Sequence, residues 1–68
     1  MTELSILTRI AHALDDNALV ANLIRIQTTL DEWAAEGFDV DTEADLRLDR
    51  AQRDALRAEW RKRSGERI

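Results

Sequence analysis

His12 is the residue best suited to acid–base or metal chemistry, because it is the only histidine and the carboxylates of Asp15 and Asp16 follow it closely. A nucleophile needs an adjacent base and a third group that orients that base. The chain has no cysteine or tyrosine, and its serines, Ser5 and Ser64, lie near opposite ends. We therefore interpret His12 as a solvated side chain near a helix C-terminus, where positive charge is favourable. The prediction is a protein that is not an enzyme and uses no metal, cofactor or small-molecule substrate.

An acidic segment is the second candidate. Between residues 26 and 46 there are seven carboxylates and no Lys or Arg. Its alternating acids resemble the start of an EF-hand loop, but Ala44 replaces the turn glycine and Arg50 replaces the bidentate glutamate, which excludes that calcium site. Two interpretations of the acidic segment remain. Its carboxylates can imitate a phosphate backbone and inhibit a nucleic-acid enzyme, or they can simply keep the loop solvated. That surface comprises Asp39, Asp41, Glu43 and Asp45.

A basic stripe near the C-terminal end is the third candidate. Its arginines recur at steps of four residues: Arg53, Arg57 and Arg61. Arginine helices contact phosphates, and Trp60 beside the stripe can stack on a base. The acidic pI of about 4.8 opposes that role. The favoured interpretation is a solvated helix face whose arginines pair with acids of the connector or of a second subunit. A small nucleic-acid-binding regulator is the alternative function.

Charge is divided unevenly along the chain, whose net charge is −4. Residues 1–49 hold three arginines against eleven acids, whereas residues 50–68 hold seven basic residues against three acids. Such a division is typical of an interaction tail or a head-to-tail contact.

The elements that position these groups are organised around residues 18–38, the most hydrophobic stretch. Large apolar side chains recur there at steps of four, three, four and three residues, which places them on one helix face. They are Leu19, Leu23, Ile26, Leu30 and Trp33. We predict a helix over 17–36 as the central element. Gly37 should close it in the left-handed conformation, with Phe38 packed back on Trp33.

The first helix is predicted over 3–14, with Thr2 as its N-cap. Asp15 and Asp16 favour a turn, and either one can cap the second helix. A link this short brings the first two helices back against each other as an αα-hairpin. One long kinked helix is the competing interpretation, because no Gly or Pro enforces the turn.

The third helix is predicted over 49–63, because Asp49 and Gln52 have capping-box spacing and Gly65 is a stop signal. Opposite charges four residues apart support it at Asp49–Arg53, Arg50–Asp54 and Glu59–Arg63. Residues 37–48 are predicted as a mostly irregular acidic connector that can carry a helical turn near 42–45. A small strand hairpin and an earlier helix start near Thr42 are the alternatives. Residues 64–68 should fray.

These elements predict an all-α protein, a single small domain of three helices. A chain of 68 residues without cysteine is only marginally stable alone, so homodimerisation or a partner protein should complete it. The predicted interface comprises Val20, Ile24, Leu56, Trp60, Arg53, Arg57 and Arg61. The leading hypothesis is a non-enzymatic protein-binding module, a small adaptor or inhibitor of a larger partner.

The expected location is the cytoplasm. Polar groups interrupt every apolar run before it reaches the length of a membrane span, and Glu3 stands where a signal peptide carries basic residues. No membrane association is expected.

Overall fold

The computed structural model describes residues 3–66, with the side chains of residues 5–65. Over this range the chain forms helix α1 at Glu3–Ala13, helix α2 at Asp16–Ala35, a 3-10 turn at Ala44–Leu46, and helix α3 at Arg47–Glu66, with no strand. The all-α prediction is confirmed, and three separate helices pack together. The predicted N-cap Thr2 and the tail residues 67–68 lie outside the described residues.

Helix α3, and not α2, is the central element of the fold. Both α1 and α2 pack along α3, whereas α1 and α2 contact each other little. Gln27 of α2 bonds Arg57 and Asp16 bonds Arg63, so α2 runs antiparallel to α3. The chain reverses between α1 and α2 as the hairpin prediction requires, but each of these helices packs mainly on α3 and not on the other.

The core lies where the three helices meet. Small side chains let α1 approach α3 closely, since Ala11 is 1% exposed and Ala55 is 7% exposed. Leu19 and Leu30 of α2 are fully enclosed, and Leu56 of α3 packs against Leu19. The other members are Ile26 and Leu46, with Leu14, Leu23 and Trp60 packed around the edge.

The C-terminal end of α2 closes as a Schellman motif, as predicted. Gly37 has a positive φ of 97°, its N–H donates to the Ala34 carbonyl at 3.0 Å, and the Phe38 N–H donates to the Trp33 carbonyl at 3.2 Å. The Trp33 and Phe38 rings meet edge to face, with centroids 5.0 Å apart. Local chemistry alone therefore determines the direction in which the chain leaves α2.

The connector carries a 3-10 turn at Ala44–Leu46, which overlaps the helical turn predicted near 42–45, and hydrogen bonds order the residues around it. The Asp39 carbonyl accepts from the N–H groups of Thr42 and Glu43, which makes a turn directly before the 3-10 segment. The Arg50 guanidinium donates to the carbonyls of Val40 and Glu43. Arg50 thereby anchors the connector on α3, and α3 begins at Arg47, two residues before the predicted start.

The other end of α3 also departs from the prediction. The helix continues through Gly65 to Glu66, although Gly65 was expected to stop it. A glycine permits the left-handed conformation but does not require it. Within the described residues, Gly37 is the glycine that adopts a positive φ.

The two glycines provide a matched test of backbone conformation. Gly37→Ala should destabilise the protein by about 1–2 kcal/mol, because a side chain strains the left-handed conformation. Gly65→Ala should leave stability equal or raise it by up to about 0.8 kcal/mol, because alanine is the better helix former. Neither new methyl group meets an atom within 4 Å. Urea denaturation of both variants measures the difference, and equal effects would contradict the assigned C-cap.

Candidate functional site

Arg63 joins all three helices at the end where α1 meets α2. Its Nη1 donates to Asp16 Oδ1 at 3.0 Å, and its Nε donates to Glu59 Oε1 at 3.0 Å. Its Nη2 faces the last carbonyls of α1, donating to His12 O at 3.2 Å and to Leu14 O. A cation at this position also offsets the negative end of the α1 dipole. The Arg63 side chain is 17% exposed, so water competes little for these bonds.

Glu59 is the buried acid of this cluster, at 8% exposure. Its Oε1 accepts from Arg63, in the four-residue spacing that the sequence predicts, and lies 3.2 Å from His12 Nδ1. The hydrogen bond from Arg63, with smaller contributions from His12, lowers the pKa of Glu59 below its ordinary value of 4.5, although desolvation acts in the opposite direction. His12 is therefore a partner of Glu59 across the α1–α3 interface, and its side chain remains 69% exposed.

Removal of the Arg63 guanidinium should destabilise the fold. Arg63→Ala leaves Glu59 without its closest cation and the α1 carbonyls without a donor, at a cost of about 2–3 kcal/mol. Arg61→Ala, two residues away and exposed, should change stability by less than about 0.5 kcal/mol. Thermal unfolding followed by circular dichroism compares them. Similar losses of stability in the two variants would show that the bonds of Arg63 do not stabilise the packing of the three helices.

The depressed pKa of Glu59 predicts a pH dependence. A carboxyl whose pKa is lower in the folded than in the unfolded protein stabilises the fold while it is ionised. This stabilisation is fully present at pH values above the unfolded pKa near 4.5, and it is lost as the pH falls through the folded pKa. Glu59→Gln should therefore be less stable than wild type at neutral pH and should lose less stability on acidification. Unfolding free energies measured between neutral pH and about pH 3 test this. Parallel curves for the two proteins would contradict it.

The basic stripe is largely engaged within the chain. Arg53 Nε donates to Asp54 at 3.1 Å, and Arg57 Nη2 donates to Gln27 at 2.9 Å. The pairs Asp49–Arg53 and Arg50–Asp54, predicted from spacing, are not formed among the described residues, because Arg53 pairs with its neighbour and Arg50 holds the connector carbonyls. Arg61 remains exposed at this face.

The predicted apolar interface divides into two groups. Leu56 is 3% exposed and belongs to the core, and Trp60 packs against the same core while half-buried. Val20 is half-buried, whereas Ile24 is 61% exposed. Of the four apolar residues of the predicted interface, Ile24 is therefore the one most available for contact with a partner.

Two further exposed apolar side chains on α1 were not predicted as an interface. Ile6 is 47% exposed and Ile10 is 51% exposed, one helical turn apart. They lie at the edge of the α1 apolar face: at 3.6 residues per turn, Ile10 is about 100° and Ile6 about 140° from the direction of Ala11. Their spacing of four residues indicates that they share a face of α1. The sequence does not show, however, that α3 covers only the side of α1 on which Ala11 lies.

The acidic connector and the end of α2 together form a cleft of about 260 Å³. Its lining residues are Trp33, Phe38, Leu46, Glu43, Asp45 and Asp49. Of the predicted acidic surface, Glu43 and Asp45 line the cleft. Asp39 instead stabilises the turn, where its Oδ1 accepts from the Asp41 N–H at 3.1 Å. Sequence reasoning assigned Asp49 to helix capping and missed its place at this cleft.

Other kinds of site find little support in the part of the chain that the structure describes. His, Asp and Glu side chains form no group of three or more that could hold a metal ion. None of the helices in residues 3–66 combines the length and the apolar character needed to cross a bilayer. Comparison with protein-family models, with curated proteins and with solved structures finds no match of any of the three kinds.

Proposed function

We propose that this chain is a small non-enzymatic protein-binding module, an adaptor or inhibitor that acts on a larger partner through its helical surfaces. The observation that carries the proposal is the number of large apolar side chains left outside an already closed core. Six of them are between 40% and 61% exposed: Ile6, Ile10, Ile24, Trp33, Phe38 and Leu48. Exposed apolar side chains that lie next to one another are typical of a binding surface, and Ile6 and Ile10, one helical turn apart, and Trp33 and Phe38, in ring contact, form such pairs.

The positions of these side chains support the proposal further. Ile6 and Ile10 form a strip along α1, and Ile24 of α2 lies in a shallow depression beside Leu23 of α2 and Arg57 of α3. Apolar side chains at steps of one helical turn are the usual anchors of helix-to-helix contacts. A second copy of the chain can supply the opposing face, so the proposal includes homodimerisation.

A nucleic-acid-binding role receives less support. A phosphate-binding helix needs free guanidinium groups. Arg53 and Arg57 already donate to side chains of the same chain, and Arg50 donates to backbone carbonyls. Binding to nucleic acid would have to break these bonds in a protein whose net charge is −4.

Site-specific photo-cross-linking in the native host tests the proposal. A photoreactive amino acid placed at Ile6, Ile10 or Ile24 should give an adduct of discrete mass, because these side chains would lie within an interface. Asp54, exposed on the outer side of α3, is the control position and should give none. Sedimentation equilibrium of the purified chain shows whether the adduct contains a second copy.

The proposal fails if no adduct forms at any of the three isoleucine positions and the chain sediments as a monomer at every concentration. It also fails if adducts form equally at Asp54, since that outcome indicates unspecific collision.

A further inference from the structure

We infer that the cleft between the C-terminal end of α2 and the start of α3 docks a basic segment of a partner protein. In this arrangement a lysine or arginine side chain lies over the aromatic pair Trp33 and Phe38, and its charge lies among the carboxylates of Glu43, Asp45 and Asp49. The inference rests on the proposed protein-binding function, and it adds the location of the site and the chemistry of the partner.

The floor of the cleft is apolar and accessible. Trp33 is 40% exposed and Phe38 is 42% exposed, while Leu46 beneath them is 4% exposed. The edge-to-face contact of the two rings, with an interplanar angle of 86°, leaves ring surface open to the cleft. Aromatic faces attract cations, and the aliphatic stem of lysine or arginine covers apolar surface while its charged end reaches outward.

The floor is also held in position before any partner arrives. The Schellman hydrogen bonds place Phe38 against Trp33, and the two bonds from Arg50 hold the connector on α3. A partner therefore has little loop ordering to impose on binding, which favours affinity.

The rim of the cleft supplies unbalanced negative charge. None of the carboxylates of Glu43, Asp45 and Asp49 has an ion pair or hydrogen bond among the side chains that the structure describes. No Lys or Arg occurs between residues 26 and 46, and Arg47 does not line the cleft. Like charges that line one cleft repel one another, so a cation that enters the cleft relieves the repulsion as well as adding attraction.

A basic partner segment fits this cleft better than the alternatives do. The described residues provide no cluster of ligands for a bare metal ion, and an aromatic floor contributes nothing to metal coordination. In a second copy of the chain, Arg53, Arg57 and Arg63 are already paired within the described structure, whereas Arg9, Arg61 and Lys62 are exposed, so the experiment below includes a second copy as an outcome. The partner is therefore a protein with exposed lysine or arginine next to apolar side chains.

Titration with a synthetic amphipathic helical peptide tests the inference. The polar face of the peptide carries lysine and arginine, and a matched peptide carries glutamine at the same positions. Two-dimensional NMR follows the indole N–H signals of Trp33 and Trp60, which Trp33→Phe assigns. The basic peptide should shift the Trp33 signal and leave the Trp60 signal nearly unchanged, and raising the salt to physiological strength should weaken binding.

Two charge-matched variants separate the cleft from bulk charge. Asp45→Asn with Asp49→Asn should weaken binding about fivefold to tenfold, because two carboxylates facing the ligand are lost. Asp31→Asn with Asp54→Asn removes the same charge elsewhere and should change binding by less than about twofold. Phe38→Leu, which keeps an apolar contact, should also weaken binding because the aromatic face is lost.

Three outcomes overturn the inference: equal weakening in both charge variants, a shift of Trp60 instead of Trp33, or no preference for the basic peptide over its glutamine match. A self-association that Asp45→Asn with Asp49→Asn abolishes also overturns it, since the occupant is then a second copy. Photo-cross-linking at Ile6, Ile10 and Ile24 separates the two hypotheses. Adducts there without peptide binding leave the protein-binding function standing and reject only the cleft.

Discussion

The guanidinium of Arg63 is the group on which the arrangement of the three helices depends. One planar side chain neutralises Glu59 and Asp16 and satisfies carbonyls at the end of α1. A short chain has a small core, so a few directional bonds from a nearly buried cation contribute a large share of its stability. The same bonds hold the junction of α1 and α2 against α3, and packing on α3 decides which apolar faces of α1 and α2 stay open to solvent.

Charge is used differently at the two ends of the molecule. At the α1–α2 junction, acids and arginines pair with one another, and Arg53 and Arg57 along α3 also bond within the chain. At the connector, the carboxylates of Glu43, Asp45 and Asp49 line a cleft with an aromatic floor, and the nearby Arg50 guanidinium bonds backbone carbonyls and does not line the cleft. The unbalanced end has the more favourable electrostatics for a new partner, since no internal ion pair has to be broken there.

Features that depend on residues close in sequence could be predicted without the fold. The helix boundaries of α1 and α2, the Asp15 cap and the Glu59–Arg63 pair follow from periodicity and local hydrogen bonding. The closure of α2 at Gly37, with Phe38 on Trp33, follows from the same kind of chemistry. In each case the interacting groups lie within a few residues, so chain geometry limits the alternatives.

Only the tertiary structure decided which helix covers which apolar face. Periodicity gives the direction of Leu56, Ile24 or Ile10 around its own helix axis, but it does not say which neighbour packs there. Leu56 therefore lies in the core although it was predicted as a contact, while Ile6 and Ile10 are exposed. Arg57 bonds Gln27, 30 residues away, and Arg63 bonds Asp16, 47 residues away, and such long-range pairing depends on how the helices pack. The sequence by itself determined three helices and the caps at the two ends of α2, and packing on α3 determined the surfaces that the helices present.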